Sequence, residues 1–190
     1  TTRMMRKQLD IARPTAKQAW ATIVRRKIEN QAACLRLCGR KGVDRLESYA
    51  RRVRSGDPEN LEGQAAAFYF VQLFGQEFHR AQERWTNAAL DYGYAVLRGA
   101  IARGLVAHGL HPTVGLFHDS EQNAFNLADD LIETFRPLVD LHVAKRPAAT
   151  EGELIPADKS ALVALLNVDG YYDALLEFIG REHFGSCFPR

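Results

Sequence analysis

The chain has 190 residues, of which 46% are hydrophobic and 25% are charged, so it is long enough and apolar enough to bury its own core. No run approaches the roughly 20 apolar residues that a membrane-spanning helix needs, and the first ten residues lack the apolar stretch of a signal peptide. The net charge of +2 excludes neither acidic nor basic partners, and we expect a soluble intracellular protein.

The charges are unevenly distributed along the chain. Residues 1–54 hold 15 Lys and Arg against 4 Asp and Glu, whereas residues 55–190 hold 10 basic and 19 acidic side chains. Such asymmetry indicates a polyanionic partner for the first part. The alternative is that the two parts neutralise each other, within one molecule or across a dimer.

Helical spacing of apolar residues predicts basic helices over residues 15–38 and 43–53. The sequence SGDP at residues 55–58 ends the second helix, and we expect Asp57 to cap the next helix with Pro58 as its first residue. The segment 58–80 is apolar almost all round, which predicts a buried, central helix.

The second half of the chain is also predicted to be helical. A helix over residues 84–108 should end at Gly109, and another should begin at Asp119 or Ser120 and stop or kink near Pro137. After a loop at 145–158, short helices are expected over residues 158–167 and 170–183. Strand signals are scarce, so the fold class is all-α.

The three cysteines do not form a zinc-binding pattern. Cys34 and Cys38 lie four residues apart on a predicted helix, and no second pair completes a site. Packing or free thiols explain them better than metal ligands.

Glu62 is the charge that is hardest to explain by structure alone. Helical geometry places it beside Ala66, Tyr69 and Leu73, where a carboxylate needs a cation, a metal or a proton. A core arginine such as Arg98 or exposure in a groove would satisfy it equally well.

A second group of acids lies on one polar arc of the helix after residue 119. Asn126, Asp129, Asp130 and Glu133 share this arc, opposite an apolar stripe. The arrangement is typical of a solvated acidic face, and it also suits half of a metal site.

His118 follows the apolar turn VGLF and precedes a predicted helix, so its side chain can project into a cleft. With Glu62 and Glu133 it supplies one nitrogen and two oxygen donors, a set that suits Mn²⁺ or Mg²⁺ better than structural zinc. A packed or capping histidine is the alternative.

Tyr92, Tyr94 and Arg98 fall at helical intervals and could stack on bases or hold phosphate, or the tyrosines could belong to the core.

Several motifs in order resemble a known family. ENLEGQAAAFYF (59–70), NAALDYGYAVLRGAIARGLVAHGLHPTVGLFH (87–118) and NAFNLADDLIETFRPLVD (123–140) are similar to the CRISPR-associated endonuclease that acts as the spacer-acquisition integrase, the Cas-one family. TAKQAWATIVRRKIENQAACL (15–35) resembles its type II branch.

The resemblance implies an all-α, multi-helix catalytic domain that binds Mg²⁺ or Mn²⁺ and both hydrolyses and joins DNA strands. It implies Glu62, His118 and Glu133 as catalytic metal ligands, with Asp130 as a supporting ligand or neighbour of the ligands. Residues 1–54 would then be a basic part of the catalytic lobe and residues 55–190 its metal-binding core.

The resemblance also implies partners and a location. The partners are double-stranded or branched DNA, a second copy in a homodimer and the Cas-two protein, and the location is the prokaryotic cytoplasm. The expected phosphate contacts come from the basic segment, namely Arg25, Arg26, Lys27, Arg51, Arg52 and Arg54.

One feature departs from the family. Its members begin with a small β-rich domain, whereas this chain starts directly at the helical lobe, which predicts a fragment or an engineered version. Two other functions are compatible with the residues: a catalytically silent helical module for DNA binding or assembly, and a general metal nuclease outside CRISPR systems.

Overall fold

The computed structural model describes residues 2–82, 84–146 and 153–167. Every regular element within these ranges is helical, which confirms the all-α prediction. The eight α-helices of the described ranges are α1 (Thr2–Leu9), α2 (Arg13–Leu37), α3 (Val43–Arg52), α4 (Leu61–Phe74), α5 (Trp85–Ala107), α6 (Asn126–Ile132), α7 (Arg136–Ala144) and α8 (Pro156–Ala164). A 3-10 turn at Leu165–Asn167 follows α8.

Two long helices organise the core. Helix α2 packs against α3, α4, α6 and α7, and α5 packs against α6, α7 and α8. The short pair α6 and α7 therefore lies between the two long helices. The side chains that α2 buries most deeply include Ile23, Val24, Ile28 and Leu35. The basic first segment thus shares one core with the rest of the described chain.

Three predicted helices agree with the structure to within two residues at each end. The predictions over residues 15–38, 43–53 and 84–108 correspond to α2, α3 and α5. Gly109 adopts a left-handed conformation with φ of 79° immediately after α5, as expected of a helix C-terminus.

The prediction for residues 58–80 is wrong at both ends, because α4 covers only Leu61–Phe74. Asp57 and Asn60 both have left-handed backbones, so the chain turns twice before the helix begins. The Asn60 side chain then accepts from the amide of Gly63 as the N-cap. Gly75, with φ of 101°, ends the helix.

Because α4 begins at Leu61 and not at Pro58, Glu62 is the second residue of the helix. Its amide and that of Leu61 both donate to the Asp57 carboxylate at 2.9 Å. Nor is α4 buried all round: one face is fully buried and the other residues are half-buried or exposed. The buried face consists of Leu61, Ala65, Tyr69 and Leu73.

The helix expected from Asp119 or Ser120 begins later, at Asn126. Asn126 and Ser120 exchange two hydrogen bonds, through the side-chain amide and carbonyl of Asn126, and these hold the preceding loop against the start of α6. The expected interruption near Pro137 is confirmed, because α6 ends at Ile132 and Pro137 lies in the first turn of α7.

The last described segment of the chain is helical, as predicted. Helix α8 and its 3-10 turn confirm a helical segment ending at Asn167, whereas residues 170–183 lie outside the described residues. Cys34 is buried and Cys38 is half-buried, and both are free thiols. Burial raises the pKa of Cys34 to about 12.

Among the described helices, none is long and apolar enough to cross a membrane.

Candidate active site

Two carboxylates from distant parts of the chain meet at one lysine. The Lys27 ammonium contacts Oε1 of Glu62 and Oε2 of Glu133. Lys27 lies in the middle of α2, Glu62 in the first turn of α4, and Glu133 immediately after α6. The cation that neutralises Glu62 is therefore Lys27 and not Arg98.

Lys27 is charged in this environment although only 6% of it is exposed. Burial alone would lower the pKa of the ammonium, but the Glu133 and Glu62 carboxylates raise it above its ordinary value. Lys27 was predicted to contact DNA phosphates, whereas in this structure its side chain is buried and held by two acids. It is part of the carboxylate site.

Glu133 is held from a second side by an arginine. Its Oε1 lies 3.0 Å from Nε of Arg136, one turn further along the chain, and the Arg136 guanidinium lies over the ring of Tyr94 at 4.7 Å. The Glu133 side chain is 8% exposed, whereas that of Glu62 is 27% exposed. The carboxylate pair is therefore open on the Glu62 side.

The polar arc of α6 is not a solvated face. Asp130 is fully buried, and Asn126 and Glu133 are 4% and 6% exposed. Only Asp129 is half-buried, with Oδ1 3.8 Å from Nη1 of Arg98. Helical periodicity assigned these side chains to the polar side correctly, but that side faces the site and the loop before α6 rather than water.

Asp130 binds His118 and the backbone that carries it. Its Oδ1 accepts from the His118 amide at 3.0 Å and pairs with Nδ1 of His118 at 2.7 Å. Its Oδ2 accepts from the amides of Leu116 at 2.5 Å and Phe117 at 3.2 Å. Because Nδ1 faces a carboxylate it carries the proton, which leaves Nε2 as the nitrogen that can bind another group. These four bonds engage both oxygens of Asp130.

The charge around His118 favours its protonated form. The hydrogen bond to Asp130 raises the pKa of His118, burial lowers it in part, and the charges of Asp130, Glu133 and Asp129 raise it further. The side chain remains 41% exposed, so one part of the ring is accessible from solution.

The loop before His118 is fixed by close packing. A Cβ atom on Gly115 would collide with the backbone carbonyl of His118 and would lie 3.0 Å from Oδ2 of Asp130, so only glycine fits. The Phe117 ring stacks on buried Trp20 at 4.2 Å between centroids and 2° between planes. The His118 ring meets Trp20 edge-on at 6.0 Å.

The three predicted ligands do not surround a common point as they stand. Among the residues that the structure describes, no three His, Cys, Asp or Glu side chains form a group that could hold a metal ion. Lys27 holds Glu62 and Glu133, and Asp130 holds His118. The donor chemistry nevertheless fits a hard divalent cation, because two carboxylates already share one positive charge and the Nε2 atom of His118 is not engaged by Asp130.

The predicted phosphate-binding arginines are largely paired within the chain. Arg25 donates to the carbonyl of Val53, and Arg26 pairs with Glu29. Arg52 and Arg54 both pair with Glu59, at 2.5 and 2.6 Å, whereas Arg51 is exposed near the end of α3. Of these contacts, the pairs of Arg52 and Arg54 with Glu59 join the two parts of the chain, as the second explanation of the charge asymmetry expects.

Arginines also line a cleft of about 210 Å³, and one of its lining residues, Arg136, contacts Glu133. Arg80, Arg98 and Arg136 contribute to its wall with Asp91 and Asp129. Sequence reasoning identified Arg98 but missed Arg80 and Arg136. The only available signal for Arg136 was its position three residues after Glu133, which places the two side chains on neighbouring turns.

The two tyrosines of the DYGY segment differ in their surroundings. Tyr94 is buried and its hydroxyl donates to Asp140, so it belongs to the core. Tyr92 is half-buried, with Nζ of Lys159 at 5.8 Å from its ring centre. Arg98 lies over the Phe125 ring at 4.9 Å and is 43% exposed, so it remains accessible beside the cleft.

Comparison with known proteins identifies relatives of this chain. The family described as CRISPR associated protein Cas1 matches residues 1–150. A CRISPR-associated endonuclease Cas1 of Neisseria meningitidis is 46% identical over 187 residues, which are 97% of this chain and 59% of that protein. One from Pyrobaculum aerophilum is 35% identical over 144 residues, covering 65% of this chain and 47% of the relative.

A solved structure shares the fold. A casposase bound to integration product matches all of this chain and 66% of its own, with a TM-score of 0.78 and 16% sequence identity. The chain thus spans less than two thirds of the length of the relatives described here.

Proposed function

Because the chain belongs to the CRISPR-associated Cas1 family, we propose that it forms the catalytic lobe of a metal-dependent DNA endonuclease and integrase that inserts spacers into a CRISPR array. The observation that carries the proposal is the meeting of Glu62 and Glu133 at one cation, together with a histidine that a buried carboxylate orients and whose pKa the charge of Glu133 helps to raise. Carboxylates and imidazole around a cation are the donor set of phosphoryl-transfer metal sites.

Glu62, His118 and Glu133 would hold the Mg²⁺ or Mn²⁺ ion. Such an ion, when bound, polarises a phosphate oxygen and lowers the pKa of an attacking oxygen. His118 would bind through Nε2, because Asp130 engages Nδ1. Asp130 is therefore assigned to the orientation of His118, and Glu133 to the role of acidic ligand.

The chain's own residues would orient the DNA and balance its charge. Arg136 offsets part of the charge of Glu133, so that a phosphodiester can approach two acids. The stacked Phe117 and Trp20 keep the His118 loop in place. Attack by water cleaves the strand, whereas attack by the 3′-hydroxyl of an incoming fragment joins two strands with release of another 3′-hydroxyl.

DNA would be held mainly through its phosphates. Arg51, Arg52 and Arg54 lie together at the end of α3 and after it and are exposed, which suits contact with a charged backbone and little reading of sequence. Arg98 and Tyr92 on α5 would extend the contact towards the cleft. A homodimer and the Cas-two protein are proposed as further partners from family membership.

The proposal is tested with purified chain and a branched half-site DNA, with Mn²⁺ or Mg²⁺ and then with a chelator. We expect metal-dependent cut or joined products that Glu62→Gln and His118→Ala abolish while DNA binding persists. The matched control is Glu47→Gln, which removes an exposed carboxylate paired with Arg36 at the surface.

A wild-type chain that binds DNA and yields no product with either metal would favour the silent binding module. Products that form in the presence of chelator, or with the Glu62→Gln variant, would contradict the proposed site.

A further inference from the structure

We propose that Lys27 is a built-in cation that occupies the shared carboxylate site until a divalent ion displaces its ammonium. The inference rests on the proposed function, since it concerns the same two acids. Its basis is that one Nζ atom contacts one oxygen of Glu62 and one of Glu133. These acids reach the point from α4 and from the end of α6, and Lys27 reaches it from α2.

The two carboxylates require a cation whether or not a metal is present. Glu133 is buried, and two like charges that close together in a partly dry site repel each other strongly. Arg136 contacts Oε1 of Glu133, whereas Lys27 contacts Oε2. Lys27 is the residue that links the two acids, so it keeps the site assembled in the metal-free chain.

Lysine suits this role better than arginine would. Its ammonium is a compact point charge on a flexible four-carbon chain, so it can fit between two acids and withdraw without a fixed bidentate geometry. The Glu62 side is the more exposed side of the site, and an ion can enter there. An arriving ion would compete with Nζ for the same carboxylate oxygens, which lowers the apparent affinity for the metal.

The competition predicts the direction of a mutational effect. Lys27→Met keeps much of the buried aliphatic volume but removes the charge, so the site gains one net negative charge. We expect the metal-free variant to unfold at a lower temperature than wild type, because Glu62 and Glu133 face each other uncompensated. We expect it to bind Mn²⁺ at least tenfold more tightly, with a larger rise in unfolding temperature on metal addition.

The experiment titrates Mn²⁺ into the wild type, Lys27→Met and the control Lys17→Met by calorimetry and by thermal unfolding. Lys17 is an exposed lysine on the same helix, and its variant should match wild type. If the wild type binds Mn²⁺ and Lys27→Met binds no more tightly, the inference is overturned and the proposed function stands. If neither chain binds Mn²⁺, both are overturned.

A second measurement uses unaltered protein, in case the variant does not fold. The chain has six lysines, so their side-chain ammonium and Cε signals can be separated by NMR after lysine labelling. We expect Mg²⁺ to shift the Lys27 signal in a saturable manner and to leave that of Lys17 in place. A Lys27 signal that stays fixed while Mg²⁺ saturates the protein would overturn the inference.

Discussion

Nδ1 of His118 lies 2.7 Å from Oδ1 of Asp130, and Asp130 also accepts hydrogen bonds from three successive backbone amides, those of Leu116, Phe117 and His118. One buried carboxylate thus fixes both the ring of the histidine and the loop that carries it. The relationship connects the fold of α6 to the chemistry of the site, because Asp130 is fully buried within that helix.

Asp130→Asn should weaken metal binding and strand joining by about 10- to 100-fold, which is the usual effect of changing the residue that orients a metal-binding histidine. The amide nitrogen cannot accept from the loop amides or from Nδ1, so the ring loses its fixed tautomer. Histidine ¹⁵N NMR would report the change directly.

Asp129→Asn is the matched control for this variant. Asp129 lies next to Asp130 on the same helix and faces Arg98 instead. A His118 ring that keeps its Nδ1 proton in the Asp130 variant would show that another group orients the histidine.

Gly115→Ala should disturb His118 without removing any functional group. The added Cβ would collide with the His118 carbonyl and crowd Oδ2 of Asp130, so the loop must move. We expect DNA joining to fall by at least tenfold while the far-ultraviolet circular dichroism spectrum remains helical.

Gly99→Ala is the comparison, because a Cβ there meets only Nη1 of Arg103 at 4.0 Å. In the middle of α5 it should stabilise the fold by about 1 kcal/mol through helix propensity. Equal activity of the two alanine variants would contradict the tight fit at Gly115.

Asp140 should make stability depend on pH. Burial raises the pKa of Asp140 to about 6, although hydrogen bonds from Tyr94 and Tyr69 lower it in part. Since the ordinary pKa is about 4, the folded chain binds this proton more tightly than the unfolded chain. The stability that Asp140 contributes is therefore present below about pH 4 and is lost as the pH rises to about 6.

Asp140→Asn removes this dependence. The free energy of unfolding of the variant, minus that of wild type, should increase by about 1 kcal/mol between about pH 5 and pH 7.5. Urea unfolding at several pH values measures the difference, and Asp119→Asn in the exposed loop is the control. A difference that stays constant over this range would contradict the raised pKa.

Arg51→Ala should weaken DNA binding about equally for all sequences and reduce the slope of log affinity against log salt by about 1. Arg51 is exposed at the end of α3, beside the Arg52 and Arg54 pair that shares Glu59. The control is Arg103→Ala, an exposed arginine on α5 outside the basic segment. Identical salt slopes for both variants and wild type would contradict a phosphate contact at Arg51.

The sequence alone determined the helical architecture and much of its layout. Apolar spacing located α2, α3 and α5 because a buried stripe at 3.6-residue intervals depends only on the residues of that helix. Gly109 marked the end of α5 because only glycine readily adopts the left-handed conformation there. The ordered motifs also identified the family, and they named Glu62, His118 and Glu133 as candidates before any contact was known.

Only the tertiary structure decided what those side chains touch. Lys27 was predicted at a DNA surface, and it lies buried between Glu62 and Glu133, because the packing of α4 and α6 against α2 brings two acids to it. Asp130 was expected to be a supporting ligand or a neighbour of the ligands, and the structure shows the loop before α6 folded over it. Periodicity specifies a face of a helix, but the partner of a charge on that face depends on which distant helix packs there.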